Sequence, residues 1–74
     1  MLTHEQRARA MEYVSGLVLD RPGTYQYHEL VHKLRSYMEM GGDNFGILPA
    51  STVITELTNN GRIKVERKRY HPVD

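Results

Sequence analysis

An α+β fold of three helices followed by a β-hairpin is the architecture this chain predicts, and three observations predict it. Residues 10–18 and 30–38 carry two apolar stripes at the three-and-four spacing of amphipathic helices. A third apolar series, Ala50, Val53, Ile54 and Leu57, is closed by Asn59-Asn60-Gly61, where a glycine can take the left-handed conformation that ends a helix. Beyond Gly61 the period changes to two. Ile63 and Val65 alternate with Arg62, Lys64 and Glu66, and a basic tip, Arg67-Lys68-Arg69, precedes a returning segment from Tyr70 to Val73.

The first helix is expected from about His4 to Leu19. Thr3 can cap it, and Gln6 stands where the reciprocal partner of a capping box belongs. Ala10, Met11, Val14, Leu17 and Val18 make its buried stripe, and Asp20-Arg21-Pro22-Gly23 turns the chain. Thr24-Tyr25 reads equally as a short strand against the hairpin or as plain loop. The second helix covers about Tyr27 to Met38, with Leu30, Val31, Leu34, Tyr37 and Met38 on one face. Glu39 to Gly46 is a loop with three glycines, and Phe45, the only phenylalanine, is expected to anchor it in the core. Ile47-Leu48 leads into the third helix. Pro49 suits its first turn, where a missing N–H costs nothing.

The order helix, glycine, Ile-x-Val, basic tip, tyrosine over about residues 24–73 resembles the second half of a winged helix-turn-helix domain. The resemblance implies a recognition helix followed by a two-stranded wing, and a nucleic-acid-binding function. Two departures stand out. The connection before the third helix is about twice the three or four residues usual in a helix-turn-helix, or more, so the resemblance does not fix the angle of the recognition helix. The Arg67-Lys68 tip lacks the Asn-Gly chemistry of a two-residue turn, so a looser turn of three to five residues is expected.

On this reading, Ser51, Thr52, Thr55 and Asn59 form an uncharged outer face, with Glu56 beside them, that can contact base edges or phosphates. No arginine is among them, so the commonest guanine contact is missing and contacts to A·T pairs are expected. Arg62, Lys64, Arg67, Lys68 and Arg69 are the expected phosphate contacts. The same residues also fit an ordinary helix and hairpin with solvated charges. Tyr70 alternates with Val65 and is assigned to the core rather than to base stacking. Tyr13, Tyr25, Tyr27 and Tyr37 are read as core rim.

His28-Glu29-Leu30-Val31-His32 matches the H-E-x-x-H helix motif of zinc proteases. Both histidines fall opposite the buried stripe of their helix, beside Arg35 and Glu39, and a third ligand and a cleft are needed as well. The motif is read as solvated, with no metal. The glycine-rich loop follows a helix, whereas a phosphate-cradling loop follows a strand. No nucleophile triad or paired catalytic carboxylates stand out.

Seventy-four residues predict one small domain over residues 1–74 with a thin core. With no cysteine there is no disulfide, thiolate site or cysteine nucleophile. The first residues are charged where a signal peptide needs an apolar run, so a cytoplasmic protein is expected. Net charge is only +1, but residues 1–61 hold five basic against seven acidic residues, and residues 62–74 hold five against two. A basic end on a slightly acidic body can orient a protein on phosphates. The expected function is therefore a small winged-helix DNA-binding protein, a transcriptional regulator of bacterial or phage type. It would act on double-stranded DNA without catalysis, cofactor or membrane. A homodimer is left open. The alternative is a protein–protein interaction module, an inhibitor or accessory subunit of a larger complex.

Overall fold

The computed structural model describes residues 2–73. Its elements are α1 (His4–Asp20), α2 (Tyr27–Met40), α3 (Ile47–Asn59), β1 (Ile63–Glu66) and β2 (Arg69–Pro72). The three helices precede one antiparallel hairpin, an α+β arrangement consistent with a winged-helix layout. The capping box at α1 is formed in both directions: Gln6 N–H donates to Thr3 Oγ1, and Thr3 N–H donates to Gln6 Oε1, each at 3.0 Å. The helices run slightly further than the periodicity predicts, and α3 begins at Ile47. Pro49 is then its third residue, still within the turn whose N–H groups have no helical partner.

The core fills the space between the three helices and the base of the hairpin. Val14 and Val18 of α1, Leu30 and Leu34 of α2, Val53, Ile54 and Leu57 of α3, and Ile63 of β1 are all fully buried. Phe45 joins them from the α2–α3 connection, as expected, and Met11 and Leu17 pack against the cluster partly buried. Gly61 takes a positive φ of 74°, which turns the chain from α3 into β1.

The α2–α3 connection, residues 41–46, is long for a helix-turn-helix but is tied down at three places. Gln6 Nε2 donates to Asp43 Oδ1 at 2.9 Å, and the Arg9 guanidinium pairs with Asp43 Oδ2. Arg35 Nε donates to the Phe45 carbonyl at 3.3 Å. Gln6 thus caps α1 with its oxygen and holds the connection with its nitrogen. The start of α3 is fixed by this clamp together with the buried Phe45 ring.

Three expectations are corrected here, and the open choice between strand and loop at Thr24-Tyr25 is resolved. Thr24-Tyr25 forms no strand. The segment bends, and two backbone bonds, Gly23 N–H to the Tyr70 carbonyl at 2.9 Å and Tyr70 N–H to the Tyr25 carbonyl at 3.0 Å, tie it to β2. Gly23 has a φ of 71°, and a Cβ there would stand 2.9 Å from the His71 ring, so both backbone and space call for glycine. The hairpin turn is not loose. Glu66 pairs with Arg69, which leaves Arg67 and Lys68 as a two-residue turn with φ of 52° and 66°. Two positive φ values are what a type I′ turn demands, and here two long cationic residues supply them at a cost in strain. Val65 shares a face with Ile63 and pairs with Tyr70, yet it is 47% exposed, because β1 runs past the edge of the core. Tyr37 likewise leaves the buried stripe of α2 and stacks on Tyr13, ring centroids 4.0 Å apart.

Candidate functional site

The phase of α3 sets what it presents outward. With Ala50, Val53, Ile54 and Leu57 buried, the opposite line runs Leu48, Thr52, Thr55, Asn59, all exposed and none charged. Most of the polar groups around this line are already used. Thr52 Oγ1 donates to the Leu48 carbonyl at 2.9 Å, one turn back. Ser51, half-buried at the edge of the face, accepts from the Tyr27 hydroxyl. Glu56, at the other edge, is paired with Arg7 of α1 at 3.1 Å. Thr55 and Asn59 are left as the predicted residues whose side chains make no hydrogen bond to another described residue. Leu48 lies at the start of the line, 79% exposed, beside a shallow groove it shares with Leu2, Arg7, Pro49 and Thr52.

Tyr27 connects this face to the hairpin. It is the first residue of α2, and its body lines a second groove with Gln26, His28, Val65, Lys68 and Tyr70. A continuous surface therefore runs from Leu48 along α3, across the Ser51–Tyr27 bond, to Val65 and Lys68 at the hairpin tip. Arg67 and Lys68 stand exposed at that tip and make no ion pair with another described residue.

The five basic residues predicted as one set are not all brought together. Lys64 is paired with Glu66 at 3.4 Å on the outer face of the hairpin. Arg69 donates from Nη1 to the Thr24 carbonyl at 2.9 Å and helps hold the bend before α2. With Arg67 and His71 it lines a groove over Gly23, on the far side of the hairpin from Val65. Arg62 lies beside α1, near His4, Arg7 and Glu12. Lys68 is the one that lines the Tyr27 groove and so extends the α3 surface, and Arg67 stands next to it at the tip and lines the groove on the opposite side.

Sequence reasoning missed Tyr27 and Leu48. Tyr27 lies in phase with the core stripe, which makes it rim by pattern alone. Leu48 precedes the proline that marks the first helical turn, although its spacing to Thr52, Thr55 and Asn59 places it on their face. Tyr70 is buried, as assigned, and burial raises its phenol pKa above the ordinary range. His28 and His32 are exposed, and no group of three metal-ligating side chains comes together among the described residues. No helix among the described residues is long and apolar enough to cross a membrane. Compared with protein-family models, with curated proteins and with solved structures, the chain matches none.

Proposed function

We propose that this chain is a winged-helix domain that binds double-stranded DNA as a small transcriptional regulator, with α3 as recognition helix in the major groove and the hairpin as wing. One observation carries the reading: an uncharged outer face of α3, on which Thr55 and Asn59 make no hydrogen bond to another described residue, adjoins through Tyr27 a tip where Arg67 and Lys68 make no ion pair with another described residue. A major groove admits a helix, and phosphates flank it on both sides, so a helix face without charge beside a cationic tip fits both parts. Arg67 and Lys68 would neutralise phosphates, while Thr55 and Asn59 would meet base edges. Ser51 and Tyr27 position the two halves. Arg62, Lys64 and Arg69 are reached only if the duplex also passes α1 or the outer hairpin face. The domain carries no catalytic role in this account, and it works in the cytoplasm.

Met40 and Ile47 are large apolar side chains left exposed around the α2–α3 connection. They favour a second reading, in which the same surface docks on a protein. Titration of a fluorescent mixed-sequence duplex at two salt concentrations separates the two. DNA binding predicts micromolar or tighter affinity at low salt that falls steeply as salt rises, because released counterions drive it. Absence of binding to any duplex at low salt sinks the regulator and leaves the protein-docking reading.

A further inference from the structure

Leu48 is a large apolar side chain left 79% exposed on the outer side of α3. It is the second residue of α3 and heads the line Leu48, Thr52, Thr55, Asn59. The Thr52 hydroxyl is turned to the Leu48 carbonyl at 2.9 Å, so its donor is spent at home and its methyl is left for an outside partner. The leading half of the face is thus an isobutyl and a methyl group, and hydrogen-bonding capacity begins only at Thr55 and Asn59. Among base edges in the major groove, the apolar group is the C5-methyl of thymine. The N-terminal residues of a recognition helix are the ones that reach those edges.

We propose that Leu48, with the Thr52 methyl, reads thymine C5-methyl groups, and that this contact, rather than a polar one, sets the site preference of the protein. The proposal rests on the DNA-binding reading above and adds a residue and a base to it. At 1.5 Å rise per residue, Leu48 and Thr52 are about 6 Å apart along the helix axis. That is under two base-pair steps of about 3.4 Å, so the two thymines lie within two steps of each other.

The test uses the 74-residue chain. A preferred duplex is first enriched from a random pool, and each of its thymines is then replaced singly by deoxyuridine. The replacement removes the methyl and keeps the pairing and the hydrogen-bonding edges. Affinity should fall about fourfold at one or two positions within two steps of each other, the loss expected for one buried methyl. Leu48→Ser should lower affinity for the parent site and be indifferent to deoxyuridine at the position Leu48 reads. The deoxyuridine comparison is made on the unaltered chain, so it does not depend on the variant folding. Selective binding that ignores deoxyuridine everywhere overturns the proposal, as does a Leu48→Ser variant with full deoxyuridine sensitivity. Binding with no site preference overturns it while DNA binding itself stands. No binding to any duplex removes both.

Discussion

Asp43 shows how one side chain sets the geometry of the whole candidate surface. Its carboxylate accepts from Gln6 and pairs with Arg9, both on α1, and so fixes the connection that leads into α3. The Gln6 amide is the largest influence holding its pKa below the ordinary aspartate range. Partial desolvation opposes this, and Arg9 adds to it. A depressed folded pKa means that the carboxyl binds a proton less readily folded than unfolded. Its stabilising contribution is therefore complete above the usual aspartate value of about 3.9 and is lost as pH falls through the lower, folded value. In denaturant melts, the unaltered chain should be more stable than Asp43→Asn at neutral pH, and the gap should close below about pH 4. A gap that does not change with pH would mean that the charge contributes nothing. In the core, Leu34→Ala and Ile54→Ala should each cost about 2–5 kcal/mol, measured by the shift of the denaturation midpoint. Both side chains are fully buried, and so small a domain has little stability to lose. Periodicity identified these core residues because they lie near the middle of their helices. It failed at Val65, which has the correct phase but lies near the end of a strand that outruns a small core, so it emerges at the surface. Phase gives the direction of a side chain and says nothing about how far the core extends.

Among the elements, the hairpin departs most from what its residues prefer. Its alternation and the core role of Tyr70 were legible in the sequence, and its turn was not. Arg67-Lys68 carries no turn signal, and the register comes from elsewhere. Ile63 of β1 is buried at one end, and in β2 the Tyr70 backbone is bonded to the loop residues Gly23 and Tyr25. With both strands held, two residues remain to close the loop, and they are forced to positive φ. Asparagine and glycine adopt that conformation with less strain. Replacing Arg67-Lys68 by Asn-Gly should therefore stabilise the fold by about 1–2 kcal/mol, read as a rise in melting temperature of about 5 °C or more. A lower melting temperature would show that the register is not held as described. The α2–α3 connection had the opposite fate. Its length and the anchoring role of Phe45 were readable, whereas the clamp from Gln6 and Arg9 was not, because it joins residues 34 and 37 positions apart. Long-range polar contacts leave no period in a sequence.

At the scale of the molecule, the proposed function assigns charge and shape to two parts of one surface. The net charge of +1 gives no strong field, so any attraction to phosphate must come from where the cations stand. Of the five basic residues proposed to contact phosphate, Lys64 and Arg69 have partners, Arg62 lies by α1, and Arg67 and Lys68 stand at the tip. Arg67→Ala with Lys68→Ala should weaken binding to all duplexes alike. It should also flatten the salt dependence by roughly one unit of slope for each lost phosphate contact, about two in all. Thr55→Ala and Asn59→Ala should do the reverse. They leave the salt slope and binding to scrambled duplex nearly intact, and reduce discrimination in favour of the preferred site by up to about 1–3 kcal/mol where a bidentate contact is lost. All four side chains are exposed, so neither set should shift the melting temperature by unfolding the core. Fluorescence titrations of both variants on both duplexes at several salt concentrations check the division. If the tip variant lost discrimination and the α3 variant lost salt dependence, the roles would be reversed and the docking of α3 in the groove would be wrong. If both variants lost both properties together, Tyr27 would be joining the two parts into a single contact rather than merely placing them side by side. Tyr27→Phe, which removes only the hydroxyl bonded to Ser51, should then reproduce part of that combined loss.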